Sequence, residues 1–248
     1  MFWGQLKPRG EDTTELERHP AVVQLSKGEL FLAACMNVFR QDYGFVEATN
    51  EDLPRDKAGQ PLPKYTYPAI EYLCQFDLKE KSVFEFGSGA STLFWMARAN
   101  SVVSVENNRD WFARVQSQAN DKVELLFAEG DAYPQVIQTV DRPFDVIVID
   151  GYGYRYDCAE LALPYLADGG MIILDNADWH PNTAARLKRA GLLQVDMTGF
   201  KPTESHTSTT SLFLKRDFDF PTLADRQPSV GLGGKDLHSE QWDRRQLP

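Results

Sequence analysis

The feature that most constrains the fold is a regular alternation of short β-branched runs with longer amphipathic stretches between Ser82 and Arg216. Alternation of this kind is typical of βα units, because parallel strands need a long crossover that is usually helical. Five runs predict parallel strands, and the last two predict an antiparallel pair: 82–86, 101–106, 122–128, 144–150, 170–175, 192–200 and 208–216. The sequence therefore predicts a doubly wound α/β fold.

Three regions are predicted along the 248 residues. Residues 1–64 contain an apolar periodic stretch and a polar linker, and they predict an N-terminal helical cap. Residues 65–216 form the α/β domain. Residues 217–248 are rich in proline, glycine and charge without a period, which indicates an extended tail.

A glycine loop joins the first predicted strand to the helix that follows it. In VFEFGSGAST the strand leads directly into Gly87, Ser88 and Gly89. Glycine allows a tight turn and close approach of a ligand, and the free N–H groups of the helix face that ligand. The loop indicates a nucleotide-type ligand, with a tight turn that binds nothing as the alternative.

Carboxylates end or follow the next three strands. Glu106 ends the second strand, Asp131 follows the third in EGDA, and Asp150 ends the fourth in VIDG. The carboxyl ends of parallel strands meet at one edge of the sheet, where ligands of open α/β folds bind. Any single carboxylate could be a solvated strand end or a helix cap, but together they predict a ligand crevice in which Glu106 accepts bonds from both ribose hydroxyls.

The motifs FEFGSGAS, VENN, EGDA and FDVIVIDG resemble those of the class I S-adenosylmethionine-dependent methyltransferases. The resemblance implies a seven-stranded, mostly parallel Rossmann-like sheet with an antiparallel last strand, and S-adenosylmethionine as cofactor. It places the methionine moiety at Glu85 and the glycine loop, the ribose at Glu106 and the adenine at Asp131 and Ala132. The full predicted cofactor set is Glu85, Gly87, Ser88, Gly89, Ser91, Glu106, Asn107, Asp131, Ala132 and Asp150.

A metal site is suggested by a second, partial resemblance. Asp150, Asp175 and Asn176 resemble the metal ligands of the cation-dependent, catechol-type O-methyltransferases. Their oxygens are hard donors that suit Mg²⁺. The basic residue which that family carries two or three places after the fourth-strand aspartate is missing in DGYGYRYD, and Asp175 and Asn176 could equally cap a turn. The use of Mg²⁺ is therefore left open.

Asp150 and two histidines are candidates for the catalytic base. His180 and His206 could each accept the proton of an acceptor group, as could Asp150, although a lone loop histidine is more often solvated. The tyrosines of GYGYRYD could line an aromatic pocket over the acceptor.

Charge and composition restrict the possible binding partners and the cellular location of the protein. A net charge of −10 disfavours a nucleic acid, and no apolar run approaches the ~20 residues that span a membrane. The N-terminus lacks the pattern of a secretory signal, and three widely spaced cysteines indicate neither disulfides nor zinc. We therefore expect a cytoplasmic protein. Its oligomeric state is open, with a homo-oligomer as one alternative.

The predicted function is methyl transfer from S-adenosylmethionine to a small-molecule acceptor, with oxygen as the favoured acceptor atom. The first alternative is an NAD(P)-dependent oxidoreductase. It is disfavoured because Thr92 stands where a dinucleotide fold wants a third glycine. The second is a non-catalytic regulatory domain that binds S-adenosylmethionine. Aminopropyl transferases share the fold, but no specific marker for them is present.

Overall fold

The fold is built on one seven-stranded sheet. The computed structural model describes residues 25–51, 54–239 and 243–246. The strand order is β3-β2-β1-β4-β5-β7-β6. The strands are β1 Ser82–Phe86, β2 Ser101–Glu106, β3 Val123–Phe127, β4 Phe144–Ile149, β5 Leu166–Leu174, β6 Leu193–Phe200 and β7 Thr207–Leu214. The first five are parallel, and β7 is antiparallel to both of its neighbours. The predicted Rossmann-like α/β fold is confirmed.

Helices pack on both faces of the sheet. They are α1 Lys27–Gln41, α2 Phe45–Glu51, α3 Tyr67–Leu73, α4 Ala90–Met96, α5 Arg109–Gln116, α6 Ala132–Gln135, α7 Arg155–Ala162 and α8 Pro181–Arg189. Alternate strand residues point to opposite faces. Val146 and Val148 therefore pack with α3 and α4 in one core, whereas Ile147 and Ile149 pack with α6, α7 and α8 in the other. A strand that is buried on both faces explains the continuous apolar runs in the sequence.

Strand β5 begins earlier than predicted. The prediction started at Gly170, whereas β5 starts at Leu166, which pairs with Phe144 of β4. The register then shifts, so that Val146 pairs with Met171. Gly169 lies in the left-handed region at φ +65° within this irregular segment. The polar sequence ADGG is typical of a turn, so the predicted strand includes only its last residue. In the structure it belongs to β5 and forms an irregular segment of that strand.

The cap and the tail both contact the α/β domain. In the cap, Phe39 packs against Tyr67 and against Phe200 at the end of β6, with ring centroids 5.8 and 5.6 Å apart. In the tail, Phe220 packs against Phe76, and the Asp77 amide donates to the Pro221 carbonyl at 2.8 Å. The first 24 residues of the predicted cap lie outside the described residues. The boundaries at residues 64 and 216 stay predictions.

None of the helices in the described part of the chain combines the length and the apolar character that crossing a bilayer requires.

Candidate active site

A cavity of about 870 Å³ opens at the carboxyl ends of β1, β2 and β4, within the size range of small-molecule sites. The glycine loop forms one wall of this cavity. Seven predicted cofactor residues line it, namely Gly87, Ser88, Gly89, Ser91, Glu106, Asn107 and Asp150. Lys64, Trp111, Arg114 and Tyr152 line it as well, and the sequence did not single these out as cofactor ligands. The sheet therefore brings most of the predicted set to one place.

The Glu106 carboxylate accepts four hydrogen bonds at the cavity wall. Its Oε2 accepts the backbone N–H and the hydroxyl of Ser88, both at 2.9 Å. Its Oε1 accepts the backbone N–H groups of Asn107 at 2.9 Å and Asn108 at 2.8 Å. The bonds hold the carboxylate between the glycine loop and the start of α5. Among these donors only the Ser88 hydroxyl can rotate away from the carboxylate. The contact of Glu106 with the ribose hydroxyls stays a prediction.

Glu85 lies beneath the glycine loop and does not line the cavity. Its Oε2 accepts the hydroxyls of Thr92 at 2.5 Å and Ser104 at 2.7 Å, whereas its buried Oε1 has no partner among the described residues. Burial raises the pKa of Glu85 to about 7, although the hydroxyls of Ser91, Thr92 and Ser104 oppose the rise. An unpartnered buried oxygen costs free energy that a ligand ammonium would recover. The predicted contact with the methionine ammonium stays a prediction.

The packing of the protein itself requires glycine at position 87 and leaves little room for a side chain at position 89. Gly87 has φ +94°, and a Cβ there would lie 2.7 Å from the Gly151 backbone at the end of β4. Gly89 is extended, and a Cβ there would lie 3.2 Å from the indole nitrogen of Trp111. That nitrogen donates to the Ser88 carbonyl at 2.5 Å. The sequence explained both glycines by approach of a ligand, and the structure adds these close protein contacts.

Asp131 and Ala132 lie outside the cavity wall. Both are exposed at the start of α6, where the Tyr154 hydroxyl donates to Asp131 at 3.5 Å. The placement of adenine at these two residues stays a prediction.

Asp150 joins the cavity to a buried cluster of charges. Its Oδ1 accepts from Arg155 Nη2 at 3.0 Å, and Arg155 also donates to the backbone carbonyls of Gly151 and Asp175. Burial and the neighbouring Asp175 carboxylate raise the pKa of Asp150 to about 7, although the positive charges of Arg155 and Lys201 oppose the rise. A carboxylate with this pKa can gain and lose a proton near neutral pH.

The predicted metal site does not fit the structure. Asp175 Oδ2 accepts from Lys201 Nζ at 2.5 Å, and Asp175 Oδ1 accepts from the Thr210 hydroxyl at 2.6 Å. Asn176 also borders this ammonium. Within the described ranges, no group of three or more His, Cys, Asp or Glu side chains could hold a metal ion. The oxygens that the sequence assigned to Mg²⁺ therefore face basic side chains.

Comparison with known proteins bears on the class of this site. Residues 84–177 match the family model described as a methyltransferase domain, a segment that runs from β1 past the end of β5. The match supports a class I S-adenosylmethionine-dependent methyltransferase. The predicted class is confirmed, and S-adenosylmethionine is the cofactor of this class. Comparison with curated proteins gives no match.

Solved structures with similar folds have low sequence identity to this methyltransferase. One is precorrin-6y C5,15-methyltransferase from Geobacter metallireducens, with 16% identity, a TM-score of 0.48, and coverage of 60% of this chain and 86% of the other. A second is spermidine synthase from Thermotoga maritima, with 15% identity, a TM-score of 0.48, and coverage of 63% and 60%. A third is an rRNA methylase from Streptococcus thermophilus, with 16% identity, a TM-score of 0.43, and coverage of 60% and 95%. At these scores their substrates are not transferred to this chain.

His180 of the methyltransferase does not line the cavity beside the glycine loop. It borders a second cavity of about 630 Å³, together with Tyr154, Arg155, Tyr156 and Trp179. Burial and the Arg155 charge lower the pKa of His180, while Asp175 and Asp178 oppose this. The role of His180 as a base stays a prediction, and the structure separates it from the wall that carries Asp150.

Three side chains near the methyltransferase site were missed from the sequence. A basic residue was expected two or three places after Asp150, whereas Arg155 lies five places after it. Tyr65 is fully buried, and burial together with Glu85, Asp150 and Asp175 raises its pKa. Lys201 follows β6, far along the chain from the residues it contacts. No local pattern marks Tyr65 or Lys201 as part of the site.

Proposed function

We propose that the protein transfers the methyl group of S-adenosylmethionine to a hydroxyl oxygen of a small molecule. The observation that carries this proposal is the position of Asp150, which lines the same cavity as the glycine loop and Glu106. When bound, the cofactor supplies a methyl group already activated on sulfur, so the protein needs no covalent nucleophile.

The residues of the chain divide the work between binding and proton removal. Gly87, Ser88, Gly89 and Glu106 would hold the cofactor along the loop and the end of β2. Methylation of a hydroxyl releases its proton, and the Asp150 carboxylate on the cavity wall would accept it. Arg155, which contacts Asp150 at 3.0 Å, would fix the orientation of that carboxylate.

A small acceptor is supported by the shape and charge of the molecule. The site is a concave cavity, and the chain carries a net charge of −10 that repels a polyanion at physiological salt. The charged side chains that line the cavity are the acidic Glu106, Asp110 and Asp150 and the basic Lys64 and Arg114, so acidic groups are in the majority there as well.

The experiment is a transfer assay with methyl-labelled S-adenosylmethionine and four acceptor pools: phenols and catechols, aliphatic alcohols, amines, and total RNA. We expect label in one of the hydroxyl pools. Label in RNA or only in amines would contradict the proposal. Tight binding of the cofactor without turnover on any pool would favour the non-catalytic alternative.

A further inference from the structure

Asp175, which follows β5, is paired with a cation that is a side chain of the protein itself, the ammonium of Lys201. Lys201 Nζ lies 2.5 Å from Asp175 Oδ2. With its amide oxygen facing the ammonium, Asn176 accepts from Nζ at 3.2 Å and donates to Asp175 Oδ2 at 2.9 Å. Two of the three oxygen ligands predicted for a divalent cation therefore converge on one ammonium nitrogen.

The Lys201–Asp175 ion pair is closed to solvent, and both oxygens of Asp175 have partners. The side chains of Lys201 and Asp175 are 3% and 1% exposed. The second Asp175 oxygen accepts from Thr210 at 2.6 Å, and Glu204 forms a further ion pair with Lys201 at 3.6 Å. A buried charge is tolerated when it is paired and hydrogen-bonded, as this one is.

The third predicted metal ligand is also paired with a cation. Asp150 contacts the guanidinium of Arg155, and the same guanidinium donates to the Asp175 carbonyl. A divalent ion at these oxygens would have to displace Lys201 or lie against both the buried ammonium of Lys201 and the partly buried guanidinium of Arg155. Repulsion between charges is strong where water is excluded, so the arrangement disfavours such an ion.

We propose that Lys201 is the resident cation of this site and that the enzyme works without a divalent metal. Lys201 directly follows β6, which runs in the same direction as β5 with β7 between them, and it contacts Asp175 and Asn176 at the end of β5. It is a positioning residue, because its contacts are with the protein and its side chain is almost fully buried. The role of Lys201 can be tested by metal binding, which does not depend on the proposed methyl transfer. Only the measurement of activity rests on that proposed function.

The main experiment is a titration of the whole protein with Mn²⁺, followed by electron paramagnetic resonance. The variants are Lys201→Ala, Asp175→Asn, the double variant that combines them, and Lys215→Ala as the matched control. Lys215 pairs with the exposed Asp168 at 2.8 Å, so its removal changes the net charge equally but far from the cluster.

We expect wild type and Lys215→Ala to show only the same weak background binding. Lys201→Ala frees oxygens of the right type, so it should bind one Mn²⁺ about 10-fold or more tightly than the control, and the double variant should lose this site. One tightly bound Mn²⁺ in the wild type that Asp175→Asn removes would overturn the proposal. A folded Lys201→Ala that binds no more Mn²⁺ than the control would also overturn it.

A second measurement needs no variant. Methyl transfer by the wild type should be unchanged in excess chelator and after addition of Mg²⁺. A loss of about 10-fold or more on chelation that Mg²⁺ reverses would overturn the metal-independent mechanism. If no acceptor is methylated at all, the proposed function fails, while the Mn²⁺ titration still decides the role of Lys201.

Discussion

The Thr92 hydroxyl donates to the Glu85 carboxylate at 2.5 Å, and it also accepts the backbone N–H of Gly89 at 2.8 Å. This chain of bonds ties the glycine loop to a carboxyl group that is fully buried in β1. The loop is therefore supported from below by a side chain that takes no part in the cavity wall.

Glu85 should make the protein less stable as pH rises. Its pKa is raised to about 7 in the folded protein, so the folded state holds the proton more tightly than the unfolded chain. This proton stabilises the folded protein fully at pH values below the pKa of Glu85 in the unfolded chain. The stabilisation is lost as pH rises to 7. Glutamine does not titrate, so Glu85→Gln should keep its stability as pH rises. At pH 8 the variant should be more stable than the wild type by at most about 3 kcal/mol.

Urea unfolding between pH 4 and pH 8 measures this effect. Glu160→Gln is the control, because Glu160 is exposed and pairs with Arg186 at the surface. The same pH dependence in wild type and Glu85→Gln would contradict the raised pKa.

Gly87→Ala should destabilise the protein through contact with the end of β4. Gly153 also has positive φ, at +80°, but a Cβ there would meet nothing within 4 Å. Gly153→Ala should therefore cost only the backbone strain of about 1 kcal/mol, and Gly87→Ala should cost roughly 2 kcal/mol more because of the clash. Chemical denaturation compares the two variants. Equal costs would show that the close approach to Gly151 does not constrain the loop.

Asp150 should control the pH dependence of methyl transfer. With a pKa of about 7, its carboxylate form grows as pH rises, so kcat/KM of the wild type should increase through neutral pH and then level off. Asp150→Asn should lower kcat/KM by about 100-fold or more and remove the inflection near pH 7. Asp168→Asn, at the exposed surface, should behave as the wild type. An unchanged inflection in Asp150→Asn would show that another group is the base.

The strands and the glycine loop could be predicted because their signals are local. A strand buried on both faces, such as β4, appears as a continuous apolar run, and Asp150 follows at its end. The parallel sheet then brings Glu106 and Asp150 to one edge without any knowledge of side-chain positions.

The charge cluster could not be predicted, because it depends on contacts between distant parts of the chain. Lys201 and Asp175 are 26 residues apart in the sequence. They meet because β5 and β6 both run antiparallel to β7, which lies between them, so the ends of β5 and β6 lie at the same edge of the sheet. The sequence shows the oxygens of Asp175 and Asn176 but not which cation they face. A lysine at the end of a strand is otherwise typical of a solvated position.

The most direct test of the account is a calorimetric titration with S-adenosylhomocysteine, the demethylated cofactor, and with NAD⁺. The wild type should bind the first and not the second. Glu106→Ala should weaken S-adenosylhomocysteine binding by about 2 kcal/mol or more, roughly 30-fold, since it removes charge-assisted acceptors and releases the Ser88 and Asn108 N–H groups. Glu129→Ala, an exposed neighbour paired with Arg109, should bind as the wild type does. Binding of NAD⁺ in preference, or unchanged affinity in Glu106→Ala, would contradict the assignment of this cavity to S-adenosylmethionine.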